Sequence, residues 1–130
     1  MVVDSNVIIR FIVEDNRKQF LKASEFILKV ESRTEKAELS ILVMDEIIFI
    51  LQNYYHLQRS DFMPKLLQLL SMPNFDVLET KKEIISEILE KMVGNKIDFT
   101  DYYLAAIAPK NQIFSFDGDF GKIQTKLVKK

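Results

Sequence analysis

The chain has 130 residues, enough for one domain with a real core, and carries a formal net charge of −1, 48% hydrophobic residues, one histidine and no cysteine. These values exclude a disulfide scaffold, a thiolate or histidine-rich zinc site, and a surface that draws in polyanions by bulk charge. No apolar run reaches the ~20 residues of a membrane span, and the first residues lack the pattern of an export signal, so a cytoplasmic protein is expected.

In chain order, Val2 and Val3 stopped by Asp4 predict a short buried strand that ends on an acid. Ser5 and Asn6 can cap the next segment, where Val7, Ile8, Phe11 and Ile12 recur at helical spacing. Asn16 followed by Gln19 is a variant of the capping box. Phe20, Ala23, Ile27 and Val30 then make one stripe on a helix. Residues 31–36 read as a loop, and Leu39, Ser40 and Ile41 as a second strand. A helix is expected from Val43, with Glu46 in its first turn, where the helix dipole favours an anion by roughly 0.3–1 kcal/mol.

Ser60 is the expected cap of the next helix, with Pro64 in its first turn, where a missing N–H costs little. Residues 75–78 give a third strand candidate. Thr80 should cap a helix striped by Ile84, Ile85, Ile88, Leu89 and Met92, which Gly94 and Asn95 end. An acid-led helix comes next, opened by Asp98 and Asp101, then a short strand at 113–116 around Ser115, then Asp117 and Asp119. Leu127 and Val128 can add an edge strand. Short strands alternating with helices predict a single α/β domain over 1–130 with a parallel sheet.

In such sheets ligands bind beyond the carboxyl ends of the strands. Asp4 and Asp117 are expected at strand ends, and Glu46 and Asp101 at helix starts. Two carboxylates ~5 Å apart repel by roughly 3 kcal/mol at an effective dielectric of 20, so a cluster of four calls for a compensating cation. Oxygen donors alone favour Mg²⁺ or Mn²⁺. Plainer roles compete at some positions: Asp98 and Asp119 suit helix caps, Asp4 can cap the Ser5 helix, and Asp45 suits a solvated helix start. Arg10, Lys122 and Lys126 can steer phosphate, whereas Lys129 and Lys130 suit a solvated tail. The spacing around Asp117, Gly118 and Asp119 lacks the glutamate a calcium loop needs, because Val128 stands at its last position.

Four pieces, VVDSNVIIRFIVEDN, ILVMDEIIFIL, DFTDYYLAAIA and IFSFDGDF, carry a resemblance over essentially the whole chain. Together, in this order, the sequence resembles the PIN domains, in particular the toxin-type ribonucleases of bacterial and archaeal toxin–antitoxin pairs. The resemblance implies a three-layer fold with a five-stranded parallel sheet flanked by helices. It also implies a metal-dependent ribonuclease whose Asp4, Glu46, Asp101 and Asp117 bind Mg²⁺ or Mn²⁺. Asn6 and Ser115 match supporting polar positions, and Asp98 and Asp119 match accessory acids. A homodimer, an antitoxin and an RNA substrate are the implied partners. The chain departs from the pattern at Pro109, and at Asn111 and Gln112 where a glycine is usual. Two rival readings are a non-catalytic RNA- or protein-binding module of the same fold, and a nuclease of DNA flaps, for which 130 residues leave little room.

Overall fold

The chain begins with two helices that start on side-chain caps. A computed structural model describes residues 1–109, 112–116, 118 and 120. Asp4 has extended backbone, and its Oδ1 accepts from the Ser5 N–H at 2.8 Å, so the chain turns into helix α1 (Ser5–Ile12). Asn16 starts α2 (Arg17–Glu31), its Oδ1 accepting from the Gln19 N–H at 3.0 Å. Ala23, Ile27 and Val30 bury the expected stripe.

The sheet is smaller than expected. β1 (Ala37–Leu39) pairs in parallel with β2 (Phe75–Val77), Ala37 facing Phe75 and Leu39 facing Val77. The N-terminal segment adds one parallel bridge, Val2 to Glu38, with the Val3 N–H donating to Glu38 O at 2.9 Å. Two strands and a bridge thus stand among the described residues, where the resemblance implied five strands. The reason is local: Asp4 and Ser40 are helix caps placed directly after the paired residues, so the extended runs stop. Residues 113–115 and Phe116 form no strand. Phe114 and Phe116 are exposed, at 91% and 100%, and meet edge-on. The expected edge strand at Leu127 and Val128 lies outside the described residues.

Four further helices complete the described chain: α3 (Ile41–Asn53), α4 (Arg59–Leu70), α5 (Lys82–Met92) and α6 (Phe99–Ile107). Three helix starts differ from expectation. α3 begins at Ile41, because the Ser40 Oγ accepts from the Leu42 N–H at 3.2 Å and Glu79 accepts from the Ile41 N–H at 2.8 Å. Glu46 therefore lies beyond the first turn, and the dipole argument does not reach it. α4 begins at Arg59 rather than after Ser60, with Gln58 at the cap position, and Pro64 sits inside the helix. α5 is preceded by Lys81, not Thr80.

Packing brings α1 against α2 and α3, α4 against α5, and α6 against both α5 and α3. One continuous core results, with Ile8, Ile27, Leu51, Phe62, Phe75 and Tyr102 among its buried members. Each such side chain contributes roughly 1.5–3 kcal/mol of burial. None of the described helices is long and apolar enough to cross a membrane.

Candidate functional site

Three of the predicted acids, Asp4, Asp98 and Asp101, line cavities. Asp101 lies in the first turn of α6, and Asp98 occupies its cap position without a side-chain cap bond. Both line a cavity of about 420 Å³ between α3, α4 and α6. Its α3 wall carries Asp45, Ile48, Phe49, Gln52 and Asn53. Those positions share one helical face, spaced by three, four and seven residues. Asp45 Oδ1 lies 3.5 Å from the Thr100 Oγ1, which ties the acid face of α3 to the start of α6. Glu46 is exposed and does not line this cavity. Asp45 is thus the acid that α3 turns toward Asp101, a placement readable from its spacing to Ile48 and Gln52.

Arg59 stands between this cavity and an adjoining one of about 520 Å³. Its Nε donates to Gln52 Oε1 at 2.6 Å, and its Nη1 donates to Met92 O at 3.1 Å and Asn95 O at 2.8 Å. Burial holds this guanidinium below its ordinary pKa, while Asp98 and then Tyr102 act in the opposite direction. Asn95 fixes the same corner: its Nδ2 donates to the Tyr102 hydroxyl at 2.6 Å and to Lys91 O at 2.8 Å, and its Oδ1 accepts from the Ile97 N–H at 2.9 Å. The start of α6, and with it Asp101, is positioned from α5 and α4.

Asp4 lines a different cavity, of about 430 Å³, with Met1, Val2, Val3, Asn6 and Arg10. The Asp4 side chain is exposed rather than buried. The desolvation penalty that would demand a partner is therefore absent. Arg10 is held there: its Nε donates to Gln19 Oε1 at 2.7 Å, and its Nη1 to Asp15 Oδ1 at 3.0 Å and the Tyr55 hydroxyl at 2.9 Å. Tyr55 in turn donates to Asp15 Oδ2 at 2.8 Å. The Tyr55 hydrogen bond, then the Asp15 charge, raise the Arg10 pKa against partial burial. Arg10 ties α1 to α2 and to Tyr55, with its charge set against Asp15.

Of the predicted quartet, Asp4 and Asp101 open separate cavities, Glu46 is on the exposed face of α3, and Asp117 lies outside the described residues. Asp119 lies outside them as well. Among the described residues no three acids or histidines gather as a metal ion requires, and no ion pair neutralises Asp4, Glu46, Asp45 or Asp98. Asn6 is exposed beside Asp4. His56 is exposed with a positive φ of 56°, a turn residue with no nucleophile at hand among the described residues.

The sequence matches the PIN domain family over residues 1–126. The chain belongs to the PIN domain family. PIN domains are generally nucleases and typically hydrolyse nucleic acids with divalent metal ions. The helix-rich α/β architecture with its parallel pairing agrees with that membership. Neither the curated proteins nor the solved structures yielded a match to this chain.

Proposed function

We infer that this PIN domain is a metal-dependent endoribonuclease, the toxin of a toxin–antitoxin pair, active as a homodimer in the cytoplasm. The observation that carries the reading is the family match across 1–126, with Asp4 and Asp101 both at helix starts that open onto cavities. Asp4, Glu46, Asp101 and Asp117 would hold Mg²⁺ or Mn²⁺, with Asp98 and Asp119 as accessory acids and Asn6 and Ser115 in support. An ion there would neutralise charge on the phosphate and acidify a water. The residues' own work is to hold oxygen donors in place, and no protein nucleophile is needed.

A fuller sheet belongs to the same proposal. Residues 113–116 would lie along the side of the N-terminal segment that is unpaired among the described residues. In support, Met1, Val2, Val3 and Val7 give the cavity beside Asp4 an apolar lining. An edge left open among the described residues accepts a further strand.

Cleavage of single-stranded RNA in Mn²⁺ by Glu46→Gln and Asp45→Asn is the test. Glu46 is exposed, so Glu46→Gln should melt like the parent yet lose cleavage by a hundredfold or more, about 3 kcal/mol of barrier. Asp45→Asn should keep most activity. Full cleavage by Glu46→Gln at saturating Mg²⁺ sinks the quartet; loss in Asp45→Asn alone moves the ligand one position along α3.

The rival from another class is a non-catalytic RNA- or protein-binding module of the same fold. A metal that binds only the folded chain raises its melting temperature. The nuclease reading expects a Mn²⁺-dependent rise that Asp101→Asn removes; the binding module expects none.

A further inference from the structure

We propose that the trough from Asp101 past Arg59 to Lys96 binds the RNA strand on one side of the cleavage point, Arg59 taking a backbone phosphate. This rests on the nuclease reading and adds a substrate contact to it. The two cavities beside Arg59 share Gln52, Arg59 and Asp98 as walls, so they adjoin, and a strand lying along both passes Arg59. One part holds Asp45, Asp98 and Asp101, which repel a phosphodiester. Arg59 is the cation that lines this part, and Lys96 lines the other.

The partners of Arg59 leave its charge available. Among the described residues its three hydrogen bonds go to neutral oxygens, those of Gln52, Met92 and Asn95, and Asp98 acts on it only through space. Among the described residues no carboxylate comes within ion-pair distance of it. Its pinned Nε and Nη1 hold the fork in one orientation, which suits a phosphate better than a mobile lysine. Half-burial strengthens any anion contact, because solvent screens it less. Phe49 adds a second feature: it is 64% exposed on the wall next to the acids, where a base can stack. Gln58 and Ser60 extend the polar wall toward Lys96.

The experiment is anisotropy of a labelled oligouridine with the full chain in EDTA, where no cleavage occurs, over a salt series. Arg59→Gln should weaken binding about tenfold. It should also flatten the log–log salt slope by about 0.7, the loss of one phosphate contact on a single strand. Arg59→Lys should recover part of the affinity. Ser60→Glu adds a carboxylate to the wall shared with Arg59 and Lys96, where it repels a phosphate, and should weaken binding similarly. An acid in a first helix turn is favourable, so this variant decides the matter if Arg59→Gln does not fold. In Mn²⁺, Arg59→Gln should raise KM more than it lowers kcat. Parent-like affinity and slope in Arg59→Gln or, if that variant does not fold, in Ser60→Glu, or no binding by the parent chain, overturns the trough. RNA binding with these signatures but no cleavage in Mn²⁺ overturns the nuclease reading and leaves the trough standing.

Discussion

Among the described residues Arg10 and Arg59 are each tied to three others but differ in what those ties carry. Arg10 faces the carboxylate of Asp15 at 3.0 Å, and Tyr55 closes a triangle with both. Its charge is cancelled locally. Arg59 faces an amide oxygen and two backbone carbonyls, so its charge is oriented but not cancelled. An arginine held by an acid is a clamp; one held by neutral acceptors is a clamp with charge left for an anion. The same contrast marks their cavities, one mostly apolar beside the N-terminal segment, the other edged by Asp45, Asp98 and Asp101.

The largest stability effect that separates the two should come from alanine substitutions. Arg59→Ala takes the side-chain donor from Asn95 O and leaves Met92 O only the long bond from the Asn95 N–H at 3.4 Å, at a partly buried corner, a loss on the order of 2 kcal/mol. Arg10→Ala should lose less, because water replaces its exposed partners. Urea midpoints read both. Equal losses would mean that the two corners are solvated alike and that the contrast drawn between them is wrong. Tyr55→Phe comes next in size. It removes the hydroxyl that joins Arg10 to Asp15 across 45 and 40 residues, and it should lower the midpoint by less than Arg59→Ala does.

How much of this was legible in the sequence depends on how local the deciding interaction is. The Asn16–Gln19 cap, the Ala23–Ile27–Val30 stripe and Asp101 in a first helix turn were readable, because each is fixed within a few residues. The start of α3 was not. Ile41 to Met44 is apolar throughout and reads as strand or helix alike, and Glu79, 38 residues away, completes the cap. The extent of the sheet was not legible either, since paired runs of three residues are too short for alternation to show. Arg59 gave no signal, because its carbonyl partners lie 33 and 36 residues downstream. Asp45 was legible in principle from its helical spacing to Gln52, but its neighbour Glu46 carried the family motif and drew the assignment.

The smallest expected effect concerns Glu79, the acid that finishes the α3 start. Burial pushes its pKa up, but the hydrogen bonds from Ser40 Oγ and the Ile41 N–H outweigh that, and the net shift is downward. A carboxyl whose folded pKa lies below its unfolded value adds stability above the unfolded value. That contribution drains away as pH falls through the folded pKa. Glu79→Gln should therefore lower the urea midpoint most at neutral pH, with the gap narrowing once pH drops below the ordinary glutamate range. The group is largely solvated, so the gap should be smaller than an unscreened shift of that size would give. A gap that stays constant down to strongly acid pH would mean that the ionised form does no capping, and that Ser40 alone sets where α3 begins.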